Sequence, residues 1–305
     1  MNRSISGFFW GACISLLVVL TVRTLFGAGR ETEQEAQQRG ATILAAAAEA
    51  AGGGALAKVE SLELNTRREA HFAGHSRGQS DVDLRLIYPL QMRLEVKVME
   101  TQTVGGYASS GSGPITSIRP TEHSVFAYAE GSDGNIWWRK TPQNIEERPA
   151  DNGMQLRVDL VGALGLYRRA AEGKLQAKFS GELQFQGRPV QVLVISEGGT
   201  RLYLDPQTHL LVGAAYPVTT GEGIFDAFRW WADFMKVSFQ SGGQEQSIWW
   251  SQYRRVKFKS GGKEEAVQFP YLWTSHLDGT RFLEEKVVSL KVNGKQNPKI
   301  FARPK

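Results

Sequence analysis

The chain reads as mainly β with an N-terminal helix: an antiparallel, half-open (unclosed) β-barrel carrying a helical lid. Three observations predict this. Apolar and polar residues alternate with period two from Leu62 onward; clusters of Gly, Pro, Asn, Asp and Ser separate the alternating runs; and one Glu/Gln/Ala-rich stretch precedes them. Strands with one apolar and one polar face must close on themselves or be covered. A curled sheet with the helix in its mouth meets that need within one domain, and a β-sandwich is the competing architecture.

Taken in order, Arg3 precedes an apolar run, Phe8 to Val22, broken by Gly11, Ser15 and Thr21 and ended by Arg23. This has the length of a signal-peptide core and falls short of the about 20 residues that span a bilayer comfortably. Gly27-Ala28-Gly29 supplies small residues for cleavage, so residues 1–29 are expected to be a signal peptide or signal-anchor. The remainder is then periplasmic or exposed in the cell envelope, held at the inner membrane if the segment stays uncleaved. Cys13, the sole cysteine, lies inside the run, with Trp10 where a lipobox has Leu. Lipidation is therefore not expected, and the exported part has neither disulfide nor thiol nucleophile.

Residues 30–58 are expected to be helical. Glu31 to Ala51 has high helix propensity throughout, Gly52-Gly53-Gly54 ends it, and Ala55 to Lys58 forms a short second helix. Residues 59–305 form the sheet domain. Met92, Leu94, Val96 and Val98 alternate with Arg93, Glu95 and Lys97; Leu175, Ala177 and Phe179 alternate with Gln176 and Lys178; Val256 and Phe258 lie between Arg255, Lys257 and Lys259. Val190 to Ile195 is apolar on both faces and is expected to be covered on both. Ten to twelve strands are expected, interrupted by a short helix between Arg157 and Arg169, where Leu160 and Leu164 stand at helical spacing.

Composition excludes some functions. A net charge of +5 without a long Lys/Arg run or a nucleic-acid motif gives no reason to expect a nucleic-acid partner. The chain lacks H-E-x-x-H and a dinucleotide fingerprint, so no catalytic residue, cofactor or metal is predicted. His71 and His75, on one strand face, would stand about 13 Å apart, too far to share a metal ion without a bend. Asp81 and Asp83, Glu264-Glu265 and Glu284-Glu285 read as solvated strand edges.

Gly52-Gly53-Gly54-Ala55-Leu56-Ala57-Lys58-Val59-Glu60-Ser61-Leu62 looks like the opening that precedes the first strand in the lipoprotein-localisation-factor superfamily, which includes LolA-like and LolB-like carriers of the envelope. Asp133-Gly134-Asn135-Ile136-Trp137-Trp138 and Leu202-Tyr203-Leu204-Asp205-Pro206-Gln207-Thr208-His209-Leu210-Leu211 look like two of its hairpins. Phe269-Pro270-Tyr271, Val292-Asn293, Phe301 and Pro304 look like its closing strands and tail. The resemblance spans about residues 40 to 305. It implies a half-open barrel with a helical lid and an apolar cavity able to take acyl chains. The Gly/Ser-rich segment 105–117 departs from the pattern.

Site candidates follow from the aromatics and the cations. Trp137-Trp138, Trp230-Trp231 and Trp249-Trp250 are doublets, and on a strand one ring of each faces either side. Phe126, Trp137, Phe179, Phe185, Trp230 and Trp249 are the candidate lining of a cavity for a lipid or lipoprotein acyl chain. Ordinary core packing is the alternative reading of the same rings. Tyr253 to Lys259 is the densest basic stretch, and Arg254, Arg255 and Lys257 are candidates to contact head groups or an acidic partner. A solvated sheet face explains them equally. Segment 105–117 reads as a flap over a cavity or a solvated hairpin tip. The function expected is binding or carrying an apolar ligand. The alternatives are a structural or interaction subunit of an envelope assembly and, last, a hydrolase of envelope glycans or lipids.

Overall fold

A helix precedes the sheet because its first turn is satisfied by side chains. In the computed structural model, which describes residues 32–72, 75–102, 121–150, 152–185, 187–196, 199–217 and 245–304, helix α1 spans Glu33–Ala51. Thr32 and Glu35 form a reciprocal capping box: the Glu35 N–H donates to Thr32 Oγ1 at 3.2 Å and the Thr32 N–H to Glu35 Oε2 at 2.8 Å. Those bonds, first the one from the Thr32 backbone, lower the Glu35 pKa below the ordinary carboxylate value. Gly52 ends the helix, and a 3₁₀ turn over Gly53–Lys58 replaces the second helix expected there. The candidate export segment, 1–29, lies outside the described residues; no helix among those described is long and apolar enough to cross a membrane.

Thirteen strands form one antiparallel sheet: β1 Ser61–Phe72, β2 His75–Ile87, β3 Gln91–Gln102, β4 Thr121–Asp133, β5 Ile136–Lys140, β6 Ile145–Pro149, β7 Ala177–Phe185, β8 Arg188–Ile195, β9 Arg201–Leu204, β10 Leu211–Pro217, β11 Glu245–Ser260, β12 Lys263–Leu277 and β13 Thr280–Val292. Their spatial order is β6-β5-β4-β3-β2-β1-β13-β12-β11-β10-β9-β8-β7, and the two end strands do not pair, so the sheet is unclosed as predicted. The count exceeds expectation because strands such as β6, with Glu146, Glu147 and a terminal Pro149, carry no apolar alternation. Helices α2, Asn152–Leu160, and α3, Leu164–Ala171, join β6 to β7 and replace the single helix expected there. Gly162, in the left-handed region at φ 56°, lies where they meet; a Cβ there would stand 2.3 Å from the Phe269 ring.

His71 and His75 do not share a strand. The chain reverses between them, Phe72 pairing with His75, so their one-face arrangement is corrected. Turn chemistry closes other hairpins where the sequence indicates: Gly261 and Gly262 have φ 57° and 80°, and Asp278 and Gly279 have φ 46° and 78°, the left-handed pair that a tight two-residue hairpin requires.

The sheet has an inner face, which shares the main core with the helices, and an outer face. Inner positions run in register across the strands: Leu62, Leu86 and Met92; Leu64, Leu84 and Leu94; Thr66, Val82 and Val96. All nine are buried, and all but Thr66 belong to that core. At the other end α1 lies along β7, presenting Ala36, Gly40, Leu44, Ala47, Ala48 and Ala51 as its buried stripe. Fully burying a leucine contributes about 2 kcal/mol, so this alternation dominates the stability of the sheet.

Tyr167 of α3 pins the helical layer to β10. Its hydroxyl accepts the Leu211 N–H at 2.6 Å, while the Tyr253 hydroxyl donates to Leu211 O at 2.6 Å. Burial pushes both phenols up, keeping them neutral. Tyr167→Phe leaves the buried Leu211 N–H without its acceptor and should cost about 1–3 kcal/mol in urea unfolding.

The C-terminal tail covers part of the outer face. Phe301 is fully buried, and its carbonyl accepts the Trp138 indole N–H at 2.8 Å; Arg93 donates to Ile300 O at 3.1 Å. Both rings of the 137–138 doublet are consequently buried: Trp137 joins the inner core, and Trp138 lies beneath the tail.

Candidate functional site

Polar groups interrupt the apolar inner face near β1, β4, β5 and β13. The strand register puts Arg68 opposite Glu285 and Glu130 opposite Arg139. Arg68 Nη2 lies 2.8 Å from Glu285 Oε1, Thr66 Oγ1 donates to Glu285 Oε2 at 3.0 Å, and Arg68 Nη1 donates to the Tyr128 hydroxyl at 3.2 Å. Desolvation opposes the Arg68 charge, but Glu285 and Tyr128 outweigh it and raise its pKa further. Burial raises the Tyr128 pKa as well. Arg139, 6% exposed, lies with its guanidinium carbon 5.3 Å from the centre of the Tyr128 ring. The mainly aliphatic inner face thus carries a confined set of buried charges, with hydrogen-bonding rather than nucleophilic character. Among the described residues no group of three or more His, Cys, Asp or Glu could hold a metal ion.

The candidate lining residues divide between the two faces. Trp137 and Phe179 are buried in the inner core, with Arg39 of α1 lying 3.6 Å over the Phe179 ring. Phe185 and Trp249 are on the outer face, where their rings stack at 3.4 Å and Tyr203 lies 5.0 Å from Trp249. Their joint lining of one cavity with Trp137 and Phe179 is therefore corrected: they occupy the opposite pleat phase, and Trp250 is the inner ring of its doublet. Gly213, paired with Trp249, leaves room for that ring; a Cβ there would stand 2.2 Å from it. Val190 and Val192 complete the outer cluster while Leu193 and Ile195 enter the inner core, so β8 is covered on both faces as predicted. The Phe126 side chain, Trp230 and the segment 105–117 lie outside the described residues.

The three basic candidates also divide. Arg255 and Lys257 line a cleft of about 480 Å³ together with Gly52, Gly54, Ala55, Lys58, Glu264, Glu265 and Ala266. Lys58 pairs with Glu265 at 2.5 Å and Lys257 with Glu264 at 2.8 Å. Hydrogen bonding from Lys257 lowers the Glu264 pKa. Three cations against two carboxylates leave the lining with a small positive excess, and Arg254 instead stacks over Tyr271 at 4.3 Å. Sequence reasoning missed Lys58 and Glu265 in this cleft, and Arg68, Arg139 and Glu285 inside. The accessible signal was Arg139 two positions beyond Trp137, hence on the same face.

No family model matches the chain, and no curated protein matches it. Its structure is similar to a DUF1329 family protein from Desulfovibrio piger ATCC 29098, at 10% identity, covering 88% of this chain and 97% of that one, with a TM-score of 0.46. It is also similar to a LolA superfamily protein from Nitrosomonas europaea, at 11% identity, covering 86% of this chain and 96% of that one, with a TM-score of 0.44.

Proposed function

We propose that this chain is an exported envelope protein that binds or carries a lipid, a lipoprotein acyl chain or a similar apolar ligand on the inner face of its curled sheet. The observation that carries the reading is the continuity of that face: buried aliphatic and aromatic side chains run from Trp137 on β5 through β1 to Trp250 on β11 and Phe179 on β7. The sheet remains unclosed and meets helices, which can be displaced without breaking a strand ladder. An acyl chain transferred from water to such a surface gains about 0.8 kcal/mol per methylene, enough for binding without a catalytic group. The cleft at Arg255, Lys257 and Lys58 supplies cations for a head group or an acidic partner. Residues 1–29 supply the export signal, and an anchor at the inner membrane if they are retained.

The full-length chain purified without added lipid should carry an acyl-bearing molecule detectable by mass spectrometry. After delipidation it should bind a fluorescent fatty acid that unlabelled fatty acid displaces. Absence of both signals removes the reading. One observation favours a second reading, an interaction subunit of an envelope assembly: Phe185, Tyr203 and Trp249 stack together on the outer face, beside the 41% exposed Leu183. A single stoichiometric cross-linked partner, lost on Trp249→Ser, would support it.

A further inference from the structure

Arg139 is a buried charge of the inner face. Its residue is 6% exposed, yet Nε and Nη2 have no hydrogen-bond partner. Arg68, by contrast, has Glu285 and Tyr128. Two positions before Arg139 on the same pleat face, Trp137 is 3% exposed and its indole N–H is also unpartnered. Folded proteins seldom leave one buried donor unsatisfied, and a buried cation without an acceptor is costlier still. Here three such donor nitrogens share one face of one five-residue strand. Glu130 lies across the ladder from Arg139.

We infer that Arg139 and Trp137 receive the anionic oxygen head of an amphiphile whose hydrocarbon lies along the apolar inner face. This rests on the lipid-binding reading above and specifies its ligand: a chain ending in a carboxylate or phosphate, preferred over a neutral head. The guanidinium presents paired donors that match two oxygens of such a group, and burial strengthens the contact. Tyr128, lying against the guanidinium, helps hold it in place.

The test titrates delipidated full-length protein with three probes of equal chain length: a fatty acid, a lysophosphatidic acid and a fatty alcohol. At least one anionic probe should bind about tenfold more tightly than the alcohol, as expected for a charge-assisted hydrogen bond. Arg139→Met should abolish that preference, and Arg139→Lys should restore part of it. Which anionic probe leads identifies the carboxylate or the phosphate as the source. Equal affinity for all three probes in the native chain overturns the inference and leaves the lipid-binding reading intact; this comparison needs no variant to fold. A preference that survives Arg139→Met also overturns it. Binding of none of the probes overturns both readings.

Discussion

Gly40→Ala should destabilise the protein by about 2 kcal/mol, although the same change on an exposed helix face would stabilise it. Two effects of opposite sign meet here. Alanine is favoured over glycine within a helix by about 1 kcal/mol. Against this, a Cβ at Gly40 would stand 2.3 Å from the Ala177 carbonyl oxygen and 2.9 Å from Lys178 Cα, both backbone atoms of β7. Backbone in a paired strand cannot swing aside as a flexible side chain can, so α1 must retreat and open the Leu44 and Ala47 contacts behind it. Overpacking of this kind costs about 1–3 kcal/mol, and contact with backbone puts this site at the upper end, so it outweighs the propensity gain. Urea unfolding would give the sign, and hydrogen exchange should show α1 losing protection before the central strands. A stabilised Gly40→Ala variant would mean that α1 does not seat on β7 as described.

Glu285→Ala should cost about 3–5 kcal/mol, the penalty of leaving a buried guanidinium without its carboxylate. Both partners are shielded, with side chains 15% and 10% exposed, so solvent cannot replace the lost contact. Thr66 loses its acceptor in the same step. The double variant Arg68→Met/Glu285→Leu should recover most of the loss, because it removes both desolvated charges and returns the site to the character of its neighbours. If Glu285→Ala alone is nearly neutral in urea unfolding, Arg68 reaches water and the inner face is wetter there than its burial indicates.

The elements that sequence made legible are those that local periodicity controls. Met92, Leu94 and Val96 announce both a strand and its inward face, and the Gly triplet at 52–54 marks where α1 stops. The inner and outer assignment of Trp249 and Phe185 was not accessible in the same way. Period two states which residues share a side, not which side meets the helices; that depends on how distant strands join, as when Trp249 finds its partner Phe185 across the sheet. Trp138 escaped for a related reason: its cover is the carbonyl of Phe301, 163 residues away. The Arg68–Glu285 pair lies 217 residues apart in sequence, and only the β1–β13 register brings it together. On β11, Arg255 and Lys257 lie two apart on one strand and line the same cleft.

The connection from β6 to β7 carries one mechanical consequence. Those strands are the two free margins of the sheet, and the chain between Pro149 and Ala177 spans from one to the other like a bowstring. Spreading the margins apart would tighten it, and the Tyr167–Leu211 tether fastens it partway along. The sheet and its helical layer are therefore better suited to part by hinging of the string than by uncurling of the bow.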